Sequence, residues 1–338
     1  MVSLKDISQK CGVSIATVSK AINGHNDVSQ KTKDMINKVA KEMGYFPNSQ
    51  ARALKTNRTY NLGVLFVDQA ERGLTHEFFS SVLNSFKKEA ENKGYDITFI
   101  NKNIGGHKMS YYEHCKYRNV DGVLVACVDF KDPDVYELVN GDIPLVTIDH
   151  VFDNRSAILS DNRQGIRVLF DYVYKMGHTK IGYIVGEKSS VSDNRMIGFF
   201  KALSDYDMPV NDNYILSGEY LNPELTERLT TKLLSLPDPP TCIFMPDDFS
   251  SIGGYNAIKN FGLTVGKDIS VVGYDGMKIS QFLSPALTTY KQDADSMGRQ
   301  ATAQLISLIE KPNLTFNEVM TIKGNLVINS SVAKLSSI

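Results

Sequence analysis

Ten basic residues crowd the first 60 positions (Lys5, Lys10, Lys20, Lys31, Lys33, Lys38, Lys41, Arg52, Lys55 and Arg58), against four acids, Asp6, Asp27, Asp34 and Glu42, for a net charge of +6. The rest of the chain holds 27 basic and 34 acidic residues, so the whole-chain charge of −1 conceals a basic head on an acidic carrier. That division is the footprint of polyanion binding by one segment only. Farther along, Asp149, Asp247 and Asp275 each follow an apolar run, and Arg195 stands near the start of a helical stretch. A carboxylate accepts from two adjacent hydroxyls and a guanidinium donates two parallel bonds, so this set suits a small polar ligand. Phe78, Phe79, Tyr220 and Phe249 are candidate aromatic walls for an apolar face of such a ligand. Strand-end aspartates also cap helices, which stays open for Asp149 and Asp247. Enzymatic chemistry has no such carrier: there is no GxxxxGK[ST] loop, GxGxxG turn, GxSxG elbow or HExxH pair. Cys11, Cys115, Cys127 and Cys242 are isolated, without a CxxC pair, and read as packing residues, so no metal or other cofactor is expected.

The basic head must be positioned by short helices. Ser3 with Asp6 makes a capping-box-like start, and Leu4, Ile7 and Cys11 form a stripe ending at Gly12. Ser14 caps a second helix with Val18 and Ile22 facing inward, stopped by Asn23-Gly24. A third begins at Ser29, carries Ile36, Val39 and Met43 on one face, and ends at Gly44. Three short helices around an apolar core with a basic exterior make an all-α helix-turn-helix unit.

From Asn61 onward, apolar runs alternate with amphipathic segments, the pattern of doubly wound parallel sheets. Strands are expected at 62–67, 97–100, 122–127 and 145–148, then at 181–185, 215–218, 242–245 and 271–274, with helices such as 162–176 and 248–261 between them. Two sets of strands imply two α/β lobes, with a ligand between them at the carboxyl ends of the strands. The charged loop 68–76 carries no assignment, and 109–118 reads as an amphipathic helix.

Leu4-Lys5-Asp6-Ile7-Ser8, Gly12-Val13-Ser14-Ile15-Ala16-Thr17-Val18-Ser19-Lys20-Ala21-Ile22-Asn23 and Gly44-Tyr45-Phe46-Pro47-Asn48 together resemble the head of the LacI/GalR family of transcriptional repressors. The resemblance implies that Ile15, Ala16 and Lys20 face base edges while Ser14, Thr17, Ser19 and Asn23 hold phosphates. Hydroxyls and amides at a helix start suit phosphate oxygens, Lys20 suits guanine O6 and N7, and Ile15 or Ala16 suits a thymine methyl. Lys20 stands where the family often has arginine, and it lacks the planar fork. The segment 48–55 is too short to be helical alone in water. It resembles the family's hinge helix, with Asn48, Ala51, Leu54 and Lys55 at the DNA and Leu54 as a minor-groove wedge.

Further landmarks extend the resemblance over most of the chain: Asp121-Gly122-Val123, Ile143-Pro144-Leu145-Val146, Asp161-Asn162, Gly177-His178-Thr179-Lys180-Ile181, Arg195-Met196-Ile197-Gly198-Phe199, Ile269-Ser270-Val271-Val272-Gly273-Tyr274-Asp275 and Leu287-Thr288-Thr289, in matching order. The implied organisation is a head (1–47), a hinge and linker (48–60) and a two-lobed periplasmic-binding-protein-like (type I) domain (61–338). Lobe 1 would take 61–160 and 292–320, and lobe 2 would take 161–291 and 321–338, with crossings near Ser160, Lys291 and Met320. The family uses the positions of Arg195, Asp247, Asp275 and Asp149, with Gln292 at a crossing, to hold sugar hydroxyls or a nucleobase. Asp247 replaces an asparagine common there.

The reading is therefore a sequence-specific regulator controlled by a small effector, most simply a sugar or sugar derivative, with a purine or nucleoside as the alternative. A solute-binding protein would have no use for the basic head. One head contacts half a site, so a near-palindromic double-stranded operator read by a homodimer is expected. Only about ten residues follow Ile328, short of a tetramer-forming coiled coil. With no apolar span of about 20 residues and no signal-peptide core, a cytoplasmic protein away from membranes is expected.

Overall fold

The computed structural model describes residues 2–23, 25–46, 58–67 and 73–335. They fall into two compact units, Met1–Thr59 and Tyr60–Ile338.

In the first unit, α1 (Leu4–Cys11) opens with a full capping box: Ser3 Oγ accepts from the Asp6 N–H at 3.3 Å, and the Asp6 carboxylate accepts from the Ser3 N–H at 2.8 Å. Gly12, at φ 65°, ends it in the left-handed conformation that glycine adopts without strain. Ser14 caps α2 (Ile15–Ile22) and Ser29 caps α3 (Gln30–Glu42). Ile7, Val18, Ala21, Ile36 and Ala40 form the core, with Leu4, Val39 and Met43 only partly buried around it.

In chain order the second unit runs β1 (Asn61–Phe66), α4 (Glu77–Asn92), β2 (Asp96–Phe99), a hairpin β3 (Asn103–Ile104) and β4 (His107–Lys108), α5 (Tyr111–Arg118), β5 (Gly122–Ala126), α6 (Pro133–Asn140), β6 (Leu145–Ile148) and β7 (Ser156–Ser160). It continues through α7 (Asn162–Lys175), β8 (Ile181–Val185), α8 (Ser190–Asp205), β9 (Ile215–Ser217), α9 (Pro223–Leu234) and β10 (Cys242–Phe244). The chain then forms α10 (Ser251–Asn260), β11 (Ser270–Asp275), α11 (Ile279–Phe282), β12 (Thr288–Lys291), α12 (Ala294–Glu310), β13 (Val319–Ile322) and β14 (Asn325–Val327). Two six-stranded sheets result, ordered β2-β1-β5-β6-β7-β13 and β9-β8-β10-β11-β12-β14. Every pairing in them is parallel except β12 with β14. The central strands are buried throughout, as expected of parallel strands covered on both faces.

Two differences from the sequence reading have physical causes. Met320 itself sits inside β13, whose ladder on β7 runs from Val319 opposite Ala157 to Ile322 opposite Ser160, so the crossing expected near it comes two residues later, after Ile322. The helix expected from 248 begins instead at Ser251, because 248–250 form a turn that Asp247 closes by accepting from the Ser250 N–H at 2.8 Å.

Candidate functional site

A cavity of about 330 Å³ lies at the carboxyl ends of both sheets. Its lobe 1 wall comes from the start of α4 and the residues after β5 and β6, and its lobe 2 wall from the residues after β8, the first turns of α8, and the ends of β11 and β12. Cys127, Asp149 and Asp275, at three strand ends on this cavity, have positive φ of 53°, 55° and 97°. Backbone held in this sparsely populated region clusters at ligand sites.

Arg195, on α8, is 4% exposed. Its Nε donates to Asn162 Oδ1 at 2.9 Å, Nη1 to the Pro246 carbonyl at 3.0 Å and Nη2 to Asp275 Oδ1 at 3.3 Å. Asp275 also accepts from Gln292 Nε2 at 2.7 Å, and Gln292 Oε1 accepts from Ser160 Oγ. A polar chain thus runs from lobe 2 to the first crossing. Burial pushes the Asp275 carboxyl upward, with Arg195 opposing. Asp149 Oδ1 accepts from the Ser160 N–H at 2.7 Å, and burial pushes its carboxyl up to about 6. Across the cleft, Ser190 Oγ donates to the Asp149 carbonyl at 3.0 Å.

The aromatic wall is built from Phe78, Phe79 and Tyr220. Tyr220 is fixed by Ser192 Oγ at 2.8 Å from its hydroxyl and by its own N–H donating to Glu187 Oε2 at 2.7 Å. Its ring covers Gly186, where a Cβ would come within 2.2 Å of the ring.

Asp149, Arg195, Asp275, Gln292, Phe78, Phe79 and Tyr220 therefore meet at one cavity. Two expected ligand residues do not. Asp247 is fully buried, with Oδ2 accepting from the Leu221 N–H at 2.8 Å and from Ser250 Oγ at 2.7 Å, and Oδ1 accepting from the Ser250 N–H at 2.8 Å. With its lone pairs so committed it holds a loop, as the capping alternative has it. Phe249 is 40% exposed and lies outside the cavity lining. Sequence reasoning missed His76, Phe130, His150, Glu187, Lys188 and Ser190. Phe130 and His150 stack with centroids 4.0 Å apart and planes 7° from parallel. Most of these follow the ends of β5, β6 and β8, so the strand-end rule that selected the aspartates would have found them had it not been limited to carboxylates.

On the head, Ile15, Ala16, Lys20 and Asn23 are exposed along α2, and Thr17 and Ser19 are half-buried. Ser14 Oγ accepts from the Thr17 N–H at 3.1 Å and lies 2.8 Å from Thr17 Oγ1. Asn23 Nδ2 donates to the Ser19 carbonyl at 2.7 Å, and Lys20 forms an ion pair with Asp27. Asn48, Ala51, Leu54 and Lys55 lie outside the described residues. Among the described residues no group of three or more His, Cys, Asp or Glu could hold a metal ion, and no helix is long and apolar enough to cross a membrane.

Residues 3–48 match the pattern of bacterial regulatory proteins of the lacI family, and residues 170–332 match that of a periplasmic binding protein-like domain. The chain is 30% identical over 341 residues to the probable HTH-type transcriptional repressor ExuR of Bacillus subtilis (strain 168), covering 100% of both chains. It is 31% identical over 342 residues to the HTH-type transcriptional repressor PurR of Mannheimia succiniciproducens, covering 99% of this chain and 100% of the other. The solved lac repressor dimer bound to operator and the anti-inducer ONPF superimposes with a TM-score of 0.79 at 26% identity, covering 98% and 99% of the two chains.

Proposed function

Because this chain belongs to the lacI family of bacterial regulatory proteins, we propose that the cavity between its lobes takes a sugar or sugar derivative that sets the affinity of the head for an operator. The family makes it a DNA-binding transcriptional repressor with an effector-sensing domain rather than an enzyme. The observation that carries the effector class is the pairing of one polar edge, Arg195-Asp275-Gln292 with Asp149, with an aromatic wall of Phe78, Phe79 and Tyr220. Hydroxyls meet fixed donors and acceptors while the apolar sugar face lies on the rings.

In this reading Ser14, Thr17, Ser19 and Asn23 contact phosphates, and Ile15, Ala16 and Lys20 contact bases. Two heads of a homodimer read a near-palindrome in the cytoplasm. A purine or nucleoside is the second reading, supported by the planar Phe130–His150 stack on the cavity wall and by a relative named PurR. A thermal-shift screen of sugars, sugar phosphates and purines separates them. A ligand at about 100 times its Kd stabilises by about 2.7 kcal/mol. Stabilisation by purines alone would replace the sugar reading with the second one, and a response to none of them would remove both.

A further inference from the structure

We propose that Asp27 is a specificity-determining residue of the head: its carboxylate positions the Lys20 ammonium, and the pair together sets the base preference that Lys20 confers. This rests on the reading of α2 as the element that enters the major groove.

Asp27 is one of only four acids in a 60-residue segment of net charge +6. A carboxylate beside a polyanion-binding helix repels phosphates, so it opposes DNA binding unless it is engaged. It is engaged by the one cation of α2, since Asp27 Oδ2 accepts from Lys20 Nζ. The two side chains are 49% and 53% exposed, so this ion pair adds little to folding. Its consequence is geometric. The chain after α2 folds back on the helix end, with the His25 N–H donating to the Lys20 carbonyl at 3.0 Å and Asn23 Nδ2 donating to the Ser19 carbonyl at 2.7 Å. Lys20 is thereby held both at its backbone and at its ammonium.

A free lysine is a point charge on a flexible four-carbon stem, able to neutralise whichever phosphate is nearest. An ammonium with one N–H committed to Asp27 keeps two for a base edge, which matches the two guanine acceptors O6 and N7. The carboxylate also keeps the ammonium from spending its charge on phosphates, a contact that carries no sequence information. Asp27 thus gives this lysine part of the directionality that the planar fork gives an arginine.

The test uses the full-length protein, selection from a library of randomised 30-base-pair duplexes, and titrations of one random-sequence duplex across salt. Wild type should show a guanine preference at one symmetric position of each half-site, lost in Lys20→Ala. Asp27→Asn should relax the preference at that position alone. It should also bind the random duplex several-fold more tightly, with a salt slope steeper by about 0.9, the value of one further phosphate contact. Asp27→Glu should restore most of the preference. If Asp27→Asn keeps the wild-type preference and slope while Lys20→Ala loses the preference, the proposal is overturned and the recognition reading survives. If Lys20→Ala changes no position, the recognition reading itself is wrong. Loss of preference at every position in Asp27→Asn would mark Asp27 as a folding residue and also overturn the proposal.

Discussion

The guanidinium of Arg195 lies 3.6 Å from the centroid of the Tyr274 ring, on the cation-attracting face of a tyrosine that is itself 1% exposed. Together with its bonds to Asn162, Pro246 and Asp275, this makes Arg195 a keystone joining α7, the turn after β10 and the end of β11. Arg195→Ala is therefore expected to act twice. On the proposed reading it removes a donor from the polar edge of the cavity, and it leaves Asp275 buried without its counter-charge, which destabilises by about 3–5 kcal/mol. Urea unfolding and calorimetric effector titration of the variant measure both effects. Unchanged stability with lost binding would mean that the Asp275 pair contributes nothing to the fold.

Asp149 gives a dependence on pH whose sign follows from burial. Its folded-state value of about 6 lies above the unfolded value of 3.8. Between them the folded protein keeps a proton that the unfolded chain has released, so stability falls as pH rises from about 4 to about 6 and levels off above. The loss is on the order of 2–3 kcal/mol at 1.36 kcal/mol per unit. Asp149→Asn keeps an oxygen for the Ser160 N–H and should be more stable than wild type at pH 7, with that slope removed. Unfolding free energies at pH 4, 5, 6 and 7 for both proteins decide it, and parallel curves would exclude Asp149 as the source.

How legible the molecule was depended on where each residue's partners lie in the chain. The central strands announced themselves as apolar runs because they are buried on both faces. In contrast, β12, with sequence Thr-Thr-Tyr-Lys, hides its burial: Thr288 and Thr289 are fully buried only because Asn329 and Asp248 satisfy their hydroxyls. Neither partner is near in sequence. The aspartates show the same limit. Asp149 and Asp247 both follow strands, and nothing local separates them. The loop at 220–222, which brings the Leu221 N–H to Asp247, is what turns one into a structural residue and leaves the other facing the cavity. The caps of the head were legible because a capping box is wholly local.

Asp247→Ala should accordingly behave as a stability variant. It strands the Leu221 N–H, the Ser250 N–H and the Ser250 hydroxyl in a buried place, and each unsatisfied group costs about 1–3 kcal/mol. Thermal unfolding should show a large drop. Effector affinity, measured on the fraction still folded at low temperature, should fall far less than in Arg195→Ala. A larger loss of affinity than in Arg195→Ala, with Tm unchanged, would return Asp247 to the ligand.

The unit Tyr60–Ile338 holds both sheets and its own apolar cores. A fragment from Asn61 to Ile338 should fold and bind effector without affinity for DNA, since the net positive charge lies before it. A gel shift on this fragment tests that, and operator binding by it would place the DNA surface elsewhere.

Leu54, outside the described residues, is reached through the sequence resemblance alone. If 49–55 orders only on a bent operator, its ordering entropy must be offset by contacts that exist only there, chiefly an apolar wedge between base pairs. Random DNA lacks that contact. Leu54→Ala should weaken operator binding by a few kcal/mol while leaving random-DNA affinity and its salt slope nearly unchanged, because Lys20, Lys55 and Arg58 still neutralise phosphates. The segment also links the head to the lobes, so effector and operator should change each other's affinity by one common factor, and the variant should shrink that factor in both directions. Titrations of operator with and without effector, and of effector with and without operator, give the two factors independently. Equal losses on operator and random DNA would reduce Leu54 to part of a linker.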